Sequence, residues 1–222
     1  WFPSDVNVVH VITSTESEPR EKFSSPESDN YMALEVLGDK DCLLKVMFFL
    51  NRNYKNAELP MYAAKDFKNQ YEGNMVVIGG PGDEDGDENN VCKLMMEKIG
   101  SQISYSEDCE ELIYKAQKYT ATKKNNRTIK DYGYFARFPN PFNPRSSVVL
   151  INGIHTFGVV GASMAFTDHP SAQGNIRKVL NKLKLDNIQQ AAFECFFPVE
   201  IAGQDVICPD IDEDYILPLS KK

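Results

Sequence analysis

The sequence has no apolar run long enough to cross a lipid bilayer. A membrane-spanning helix takes about 18 or more consecutive apolar residues, and the longest apolar stretch of the 222-residue chain, residues 43–50, is interrupted by Lys45. We therefore predict no membrane insertion by this segment. The chain begins at Trp1 without an initiator methionine or a signal-peptide pattern. We thus interpret residues 1–222 as a single α/β domain that is a fragment of a longer protein, which leaves fused domains or a homo-oligomer open.

Positive charge is scarce. The chain carries 24 Lys and Arg residues against 32 Asp and Glu residues, for a net charge of −8 and a pI near 5.0. Because binding to nucleic acid or to anionic lipid needs a clustered basic surface, we predict no nucleic-acid partner. The one basic stretch, residues 118–127, is interpreted as a solvated loop.

The five cysteines form no CxxC pair and lie mostly in apolar stretches. This pattern favours buried thiols in a reducing compartment, so we predict a cytoplasmic location. The glycosylation tripeptide at Asn126 would matter only in a secreted chain, and such tripeptides are frequent by chance.

Sequence signatures of catalysis and cofactor binding are missing as well. The chain has no GxSxG, HExxH or cysteine–histidine signature, no GxGxxG dinucleotide fingerprint and no GxxxxGK[ST] phosphate loop. No nucleophile is therefore placed beside its base in the sequence, and the cofactor stays unassigned.

What the sequence does contain is an alternation of strands and helices. Runs of apolar, β-branched or aromatic residues predict five strands that share one sheet, near residues 6–13, 74–79, 132–138, 147–152 and 192–201. Amphipathic helical patterns separate them. This alternation predicts an α/β fold with a mostly parallel, doubly wound (Rossmann-like) sheet and helices on both faces.

Two segments carry more detailed expectations. In the helix predicted to begin near Asp39, which stands at the N-cap, Leu43 and Leu50 share one apolar face, and Leu44 and Phe48 widen it. Residues 102–116 leave two alternatives, either two short strands around an acidic turn or a helix over residues 108–118.

A glycine turn follows the second predicted strand. Gly79, Gly80, Pro81 and Gly82 let the backbone approach a ligand closely, and either Asn89 or Asn90 caps the next helix or bonds a ligand hydroxyl. A tight turn without a ligand explains the same residues equally well. The acids of residues 83–88 do not match a calcium loop, since counting from Asp83 the sixth and twelfth positions hold Glu88 and Leu94 instead of Gly and Glu. We predict no metal site and a mobile acidic flap beside the pocket.

A second strand-turn-helix unit offers more polar groups. Asn152 and Gly153 close a strand, and His155 and Thr156 stand at the start of a helix. The preceding proline-rich turn presents Asn140 and Asn143. Because turns after parallel strands gather at one sheet edge, we predict that His155 and Asn140 line one pocket with Gly79 and Gly80. The alternative is that the histidine and the asparagines only hold their own loops.

The blocks VVIGGP followed by Asn, DYGYFARFPNPFNP and VLINGIHTFGVVGA, within residues 74–200, resemble uncharacterised prokaryotic Rossmann-like ligand-binding domains. Those domains carry GGP-x-x-N, D-Y-G and G-x-H-x-x-G-x-x-A motifs. The resemblance implies a doubly wound fold and a nucleotide or small-metabolite pocket with a sensory role, but no reaction. This chain departs from the pattern because the acidic insertion moves Asn89 away from the GGP turn.

The leading functional hypothesis is a nucleotide- or small-metabolite-binding sensor or regulatory domain, with a pocket formed by the turns at residues 79–82, 140–143 and 152–158. The alternative is a hydrolase or transferase acting on a nucleotide-like glycosidic bond, with Asp131, His155 or Glu194 as acid–base candidates. A protein-interaction module with an incidental pocket is the third reading.

Overall fold

The computed structural model describes residues 1–16, 34, 37–82, 89–167 and 169–219. Its strands are β1 (Val9–Thr13), β2 (Met61–Ala63), β3 (Asn74–Ile78), β4 (Ile103–Tyr105), β5 (Glu111–Tyr114), β6 (Gln117–Thr120), β7 (Thr122–Lys124), β8 (Arg127–Asn140), β9 (Asn143–Gly153), β10 (Phe193–Ala202), β11 (Asp205–Val206) and β12 (Ile216–Pro218). The α-helices are α1 (Lys40–Asn53), α2 (Asn90–Ile99), α3 (Thr156–Phe166) and α4 (Pro170–Leu183).

One mixed sheet organises the molecule. Its path is β11-β10-β8-β9-β3-β1-β2, with β12 beside β10 and β7 beside β8. The five strands predicted to share a sheet correspond to β1, β3, β8, β9 and β10, and all five lie in it, so that prediction is confirmed. The main path curls into a half-barrel.

The predicted doubly wound, mostly parallel sheet is wrong. Strands β2, β1, β3 and β9 run parallel, but β8 is antiparallel to β9 and β10 is antiparallel to β8. The physical reason lies in the connection between β8 and β9, where only Pro141 and Phe142 separate the two strands. A parallel pair needs a crossover of a dozen or more residues, so this connection can make only a hairpin.

The outer side of β10 is covered at its two ends. Strand β12 pairs with residues Phe193 to Cys195, and β11 pairs with Ile201 and Ala202, both antiparallel. Between these two pairings lies Pro198, which is exposed.

The core lies on both faces of the sheet. On one face Val76, Ile78 and Val149 pack with helices α1, α3 and α4. On the other, Met75 and Val77 pack with α2 and with a small sheet of order β4-β5-β6. Residues 75–78 of β3 are therefore all apolar because both faces of the strand are buried.

Helix α1 begins where the sequence predicts, but its apolar face is narrower. Leu43 and Leu50 are buried, whereas Leu44 and Phe48 are 55% and 72% exposed, so the prediction that they widen the buried face is wrong. Asp39 does hold the N-cap position, but its side chain makes no capping hydrogen bond.

Residues 102–116 form strands instead of a helix. Strands β4 and β5 pair antiparallel, which confirms the first of the two alternatives. The basic stretch at residues 118–127 is not a simple loop, because most of it belongs to β6 and β7. The predicted acidic flap at residues 83–88 lies outside the described residues. Within those residues, no helix combines the length and the apolar character needed to span a bilayer.

Candidate functional site

Three parallel strands end side by side at one edge of the sheet. Thr13, Ile78 and Ile151 lie in register on β1, β3 and β9, so the residues after them converge, as expected for the carboxyl edge of a parallel sheet. A cavity of about 280 Å³ opens there. We call it the polar cleft; its lining includes Ser14, Asp39, Gly80, Gly153, His155 and Thr156.

Ser14 and Asp39 form a half-buried polar pair in the wall of the polar cleft. The Ser14 hydroxyl donates to Oδ2 of Asp39 at 2.8 Å. Burial raises the pKa of Asp39, the Ser14 hydrogen bond opposes the rise, and the charge of Glu16 adds to it. The pair therefore holds a carboxyl group of fixed orientation that takes up a proton more readily than an exposed one.

Gly79 makes room for that carboxyl group. Its φ is +97°, and a Cβ placed on it would lie 2.6 Å from Oδ2 of Asp39. Its amide donates to the Ile151 carbonyl at 2.9 Å, which joins the turn to β9. The absence of a side chain on Gly79 thus allows Asp39 to lie close to the turn. Gly80 lines the cleft, and Pro81 lines the neighbouring pocket.

His155 occupies the N-cap position of α3 and lies in the lining of the cleft. Its Nε2 is 3.4 Å from Oε2 of Glu110, an exposed residue of the β4–β5 turn. Beneath it, the fully buried Asp131 accepts hydrogen bonds from Gly158 N at 2.6 Å and from Tyr132 N at 2.8 Å. Burial raises the pKa of Asp131, and these backbone bonds and the nearby His155 oppose the rise.

Two predicted ligand residues instead stabilise the glycine turn. Asn89 is fully buried; its Oδ1 accepts from Cys92 N at 3.0 Å, and its Nδ2 donates to the carbonyls of Ile78 and Gly79 at 2.9 and 3.1 Å. Asn152 is also fully buried. In the amide orientation that satisfies both ends, its Nδ2 donates to Gly79 O at 2.8 Å. Both amides face protein groups.

Asn140 and Asn143 lie at the opposite edge of the sheet. The Asn140 amide donates to the carbonyls of Tyr71 and Gly73, both at 2.7 Å, and the Asn143 amide donates to Glu72 O at 3.1 Å. These bonds hold the segment that leads into β3. The prediction that Asn140 shares a pocket with Gly79 and His155 is wrong, because the antiparallel hairpin turns at the amino end of β9.

Glu194 is also removed from the cleft. It is fully buried on β10 and accepts hydrogen bonds from Ser101 Oγ at 2.5 Å, Gln102 N at 2.7 Å and Tyr134 OH at 3.0 Å. Burial raises its pKa, and these donors oppose the rise. Its role is to join β10 to the segment after α2.

Sequence reasoning missed Ser14, Asp39 and Tyr105 as cleft residues. A signal for the first two was present, because Ser14 directly follows a predicted strand and Asp39 directly precedes a predicted helix, the same arrangement as in the two glycine units. Among the described residues, no group of three or more His, Cys, Asp or Glu side chains is placed to hold a metal ion.

No protein-family model matches the chain, and no curated protein is similar to it. Any function must therefore be argued from the chemistry of the cleft itself.

Proposed function

We propose that the protein binds a small metabolite in the polar cleft and acts as a sensor or regulatory domain. The observation that carries this proposal is the convergence of the Ser14–Asp39 pair, the Gly80 turn and the start of α3 around one cavity. Ligands of open α/β sheets bind where strand ends and helix N-termini meet in this way.

Asp39 is the main recognition group in this proposal. The Ser14 hydrogen bond fixes its carboxyl group before any ligand arrives, so little conformational entropy is lost on binding. A carboxylate accepts hydrogen bonds from ligand hydroxyl or amino groups, whereas the protonated form also donates one. Hydroxylated or amine-bearing metabolites therefore fit this wall.

A second candidate is a hydrolase or transferase acting on a nucleotide-like glycosidic bond. It is favoured by the presence of Asp39 and His155 together in the lining of one cavity, where the raised pKa of Asp39 suits a general acid. Asp131 and Glu194, the other acid–base candidates, are fully buried and hydrogen-bonded to the protein. Binding ranks first because the Ser14 hydroxyl, which does contact a possible base in the lining, donates to the carboxylate of Asp39, a weaker base than the histidine that activates serine nucleophiles.

The buried thiols support a reducing, cytoplasmic location as part of the same proposal. Burial raises the pKa of Cys42 and of Cys195, and raises that of Cys92 to about 12. Such thiols are poorly reactive. Among the described residues, Cys42, Cys92, Cys195 and Cys208 form no disulfide.

The test is a thermal-shift screen of sugars, amines, nucleosides and nucleotides, with product analysis by mass spectrometry. For a ligand that raises the melting temperature, Asp39→Asn and His155→Ala should each weaken binding about 5-fold to 150-fold, the effect of losing one buried hydrogen-bond partner. Asp186→Asn is the matched control, because Asp186 is exposed in the loop after α4. Unchanged affinity in both cleft variants would refute the site, and product formation would favour the enzyme.

A further inference from the structure

A second cavity adjoins the polar cleft. It measures about 400 Å³, and the surface it offers is mainly apolar. We call it the apolar pocket; helix α2 contributes Met96 and the β4–β5 segment contributes Ile103 and Tyr105, with Pro81 at one end. Its size and character suit a flat apolar group of the kind that stacks on aromatic side chains.

The two cavities share part of their walls. Gly82, Tyr105 and Cys109 line both of them. The Cys109 thiol donates to Gly82 O at 2.7 Å, which ties the β4–β5 turn to the glycine turn after β3. Because the two cavities are adjacent, a ligand of moderate length that passes Tyr105 would have one end in each.

Tyr105 is placed to contact such a ligand at its middle. Its Cε1 atom lies 3.9 Å from where a Cβ on Gly80 would stand, so the glycine places no side chain against this part of the ring. Its hydroxyl is buried and makes no hydrogen bond of good geometry with the described residues. Burial raises the pKa of Tyr105 well above its usual value, and the Asn152 amide is the neighbour that opposes this rise.

The charge of the residues that line the polar cleft determines which classes of ligand can bind there. Its lining carries three acids, Asp39, Asp108 and Glu110, together with His155, and the described lining residues include no lysine or arginine. A phosphate group would lie among carboxylates without a fixed cation, which costs Coulomb energy. Hydroxyl groups, in contrast, gain acceptors.

We propose that the ligand is a neutral molecule in which a flat aromatic ring is joined to a hydroxyl-rich group, as in an unphosphorylated nucleoside. The ring lies in the apolar pocket between Tyr105 and Met96, and the hydroxyl groups reach Asp39 in the polar cleft. This proposal rests on the proposed metabolite-binding function and names the chemical class of its ligand.

The test uses the wild-type protein and isothermal titration with adenosine, uridine, their 5′-monophosphates, adenine and ribose. We expect at least one nucleoside to bind at least 10-fold more tightly than its monophosphate, than the free base and than ribose. Raising the salt concentration should reduce the difference in affinity between the nucleoside and its monophosphate, because salt screens the repulsion between the phosphate and the carboxylates.

Substitutions at Asp39 and Tyr105 test which part of the ligand lies in which cavity. Asp39→Asn should weaken nucleoside binding about 10-fold while leaving adenine binding unchanged, and Tyr105→Leu should weaken both. Tyr105→Phe should keep the fold and the binding of adenine, because it removes only the buried hydroxyl group. If Tyr105→Leu does not fold, the wild-type ligand series decides the question without it.

Failure of this proposal is distinct from failure of the proposed function. Equal or tighter binding of the monophosphates, or ribose binding as tightly as the nucleosides, would overturn the ligand class and leave the cleft as a metabolite site. Binding of an unrelated metabolite from the thermal-shift screen, with no response to any nucleoside, would do the same. No response to any compound of the screen would overturn both.

Discussion

The amide of Gly158 donates a 2.6 Å hydrogen bond to Oδ2 of Asp131, and this bond ties the first turn of α3 to β8. At the same place a Cβ on Gly158 would overlap the carbonyl of Tyr132. Helix α3, which carries His155 at its start, therefore lies against the sheet with backbone touching backbone, and the position of His155 depends on that contact.

We expect Gly158→Ala to lower the free energy of unfolding by about 1 to 3 kcal/mol, the usual cost of overpacking, because neighbouring backbone cannot move aside easily. Gly174→Ala in α4 is the matched control, since nothing lies within 4 Å of its added Cβ. That change should raise stability by about 0.5 to 1 kcal/mol, the gain of alanine over glycine in a helix. Urea unfolding measures both, and a stabilising Gly158→Ala would contradict the tight contact.

Asn89 should act on stability and not directly on ligand binding. Asn89→Ala removes the α2 cap and the donor to two buried carbonyls, so we expect a loss of about 2 to 4 kcal/mol. Asn89→Ser should cost less, because serine keeps a capping oxygen. Chemical denaturation gives both values. A folded, equally stable Asn89→Ala protein that has lost ligand binding would instead favour direct contact with the ligand.

The Asp39 carboxyl makes stability depend on pH. Its folded-state pKa is raised above the ordinary 3.8, so the folded protein holds more protons than the unfolded chain over that interval. Stability therefore falls as the pH rises from about 3.8 through the raised pKa, and the cost persists at higher pH. Asp39→Asn should flatten this decline and raise stability at neutral pH.

The measurement is the free energy of unfolding between pH 4 and pH 8 for the wild type, Asp39→Asn and the exposed control Asp186→Asn. Asp131 and Glu194 have raised pKa values as well. Their contributions to the pH dependence of the free energy of unfolding are the same in all three proteins. The difference between the wild type and Asp39→Asn isolates one group. A steeper decline in Asp39→Asn than in the wild type would contradict a raised pKa at Asp39.

The acidic segment at residues 83–88 should not bind calcium tightly, because its spacing lacks the glycine and glutamate of a calcium loop. Calorimetry with calcium chloride should show only weak, non-stoichiometric heat. Tight one-to-one binding that is lost in Asp85→Ala would show a site that the spacing does not predict.

The sequence predicts which segments of this chain are strands better than it predicts their direction. Strands β1, β3, β8, β9 and β10 are recognisable because burial on one or both faces selects apolar, β-branched and aromatic residues. The direction of each strand depends on the connection that precedes it. The two-residue turn at Pro141 and Phe142 already indicates that β9 runs antiparallel to β8. Leu44 shows another limit, since helical periodicity does not reveal that no described element covers that side of α1.

The candidate site was predictable only in part. Gly80, Gly153, His155 and Thr156 do meet at one cavity, because they follow strands that are parallel. Asn140 does not, since its strand runs the other way. Ser14 and Asp39 are 25 residues apart in sequence. No local sequence pattern shows that two residues so far apart will contact each other.

The covering of β10 by β12 and β11 bears on how the protein avoids self-association. A strand edge with free amide and carbonyl groups can recruit a strand from another chain, which is how many aggregates begin. On its outer side, only residues 196–199 of β10 lie between the two described pairings, because the Glu200 carbonyl accepts a hydrogen bond from Ile207 N at 2.9 Å. Pro198 stands in the middle of this stretch and has no amide hydrogen to offer. An incoming strand would meet a short edge that lacks a hydrogen-bond donor at its centre. The addition of a strand from another chain to this edge of the sheet is therefore disfavoured.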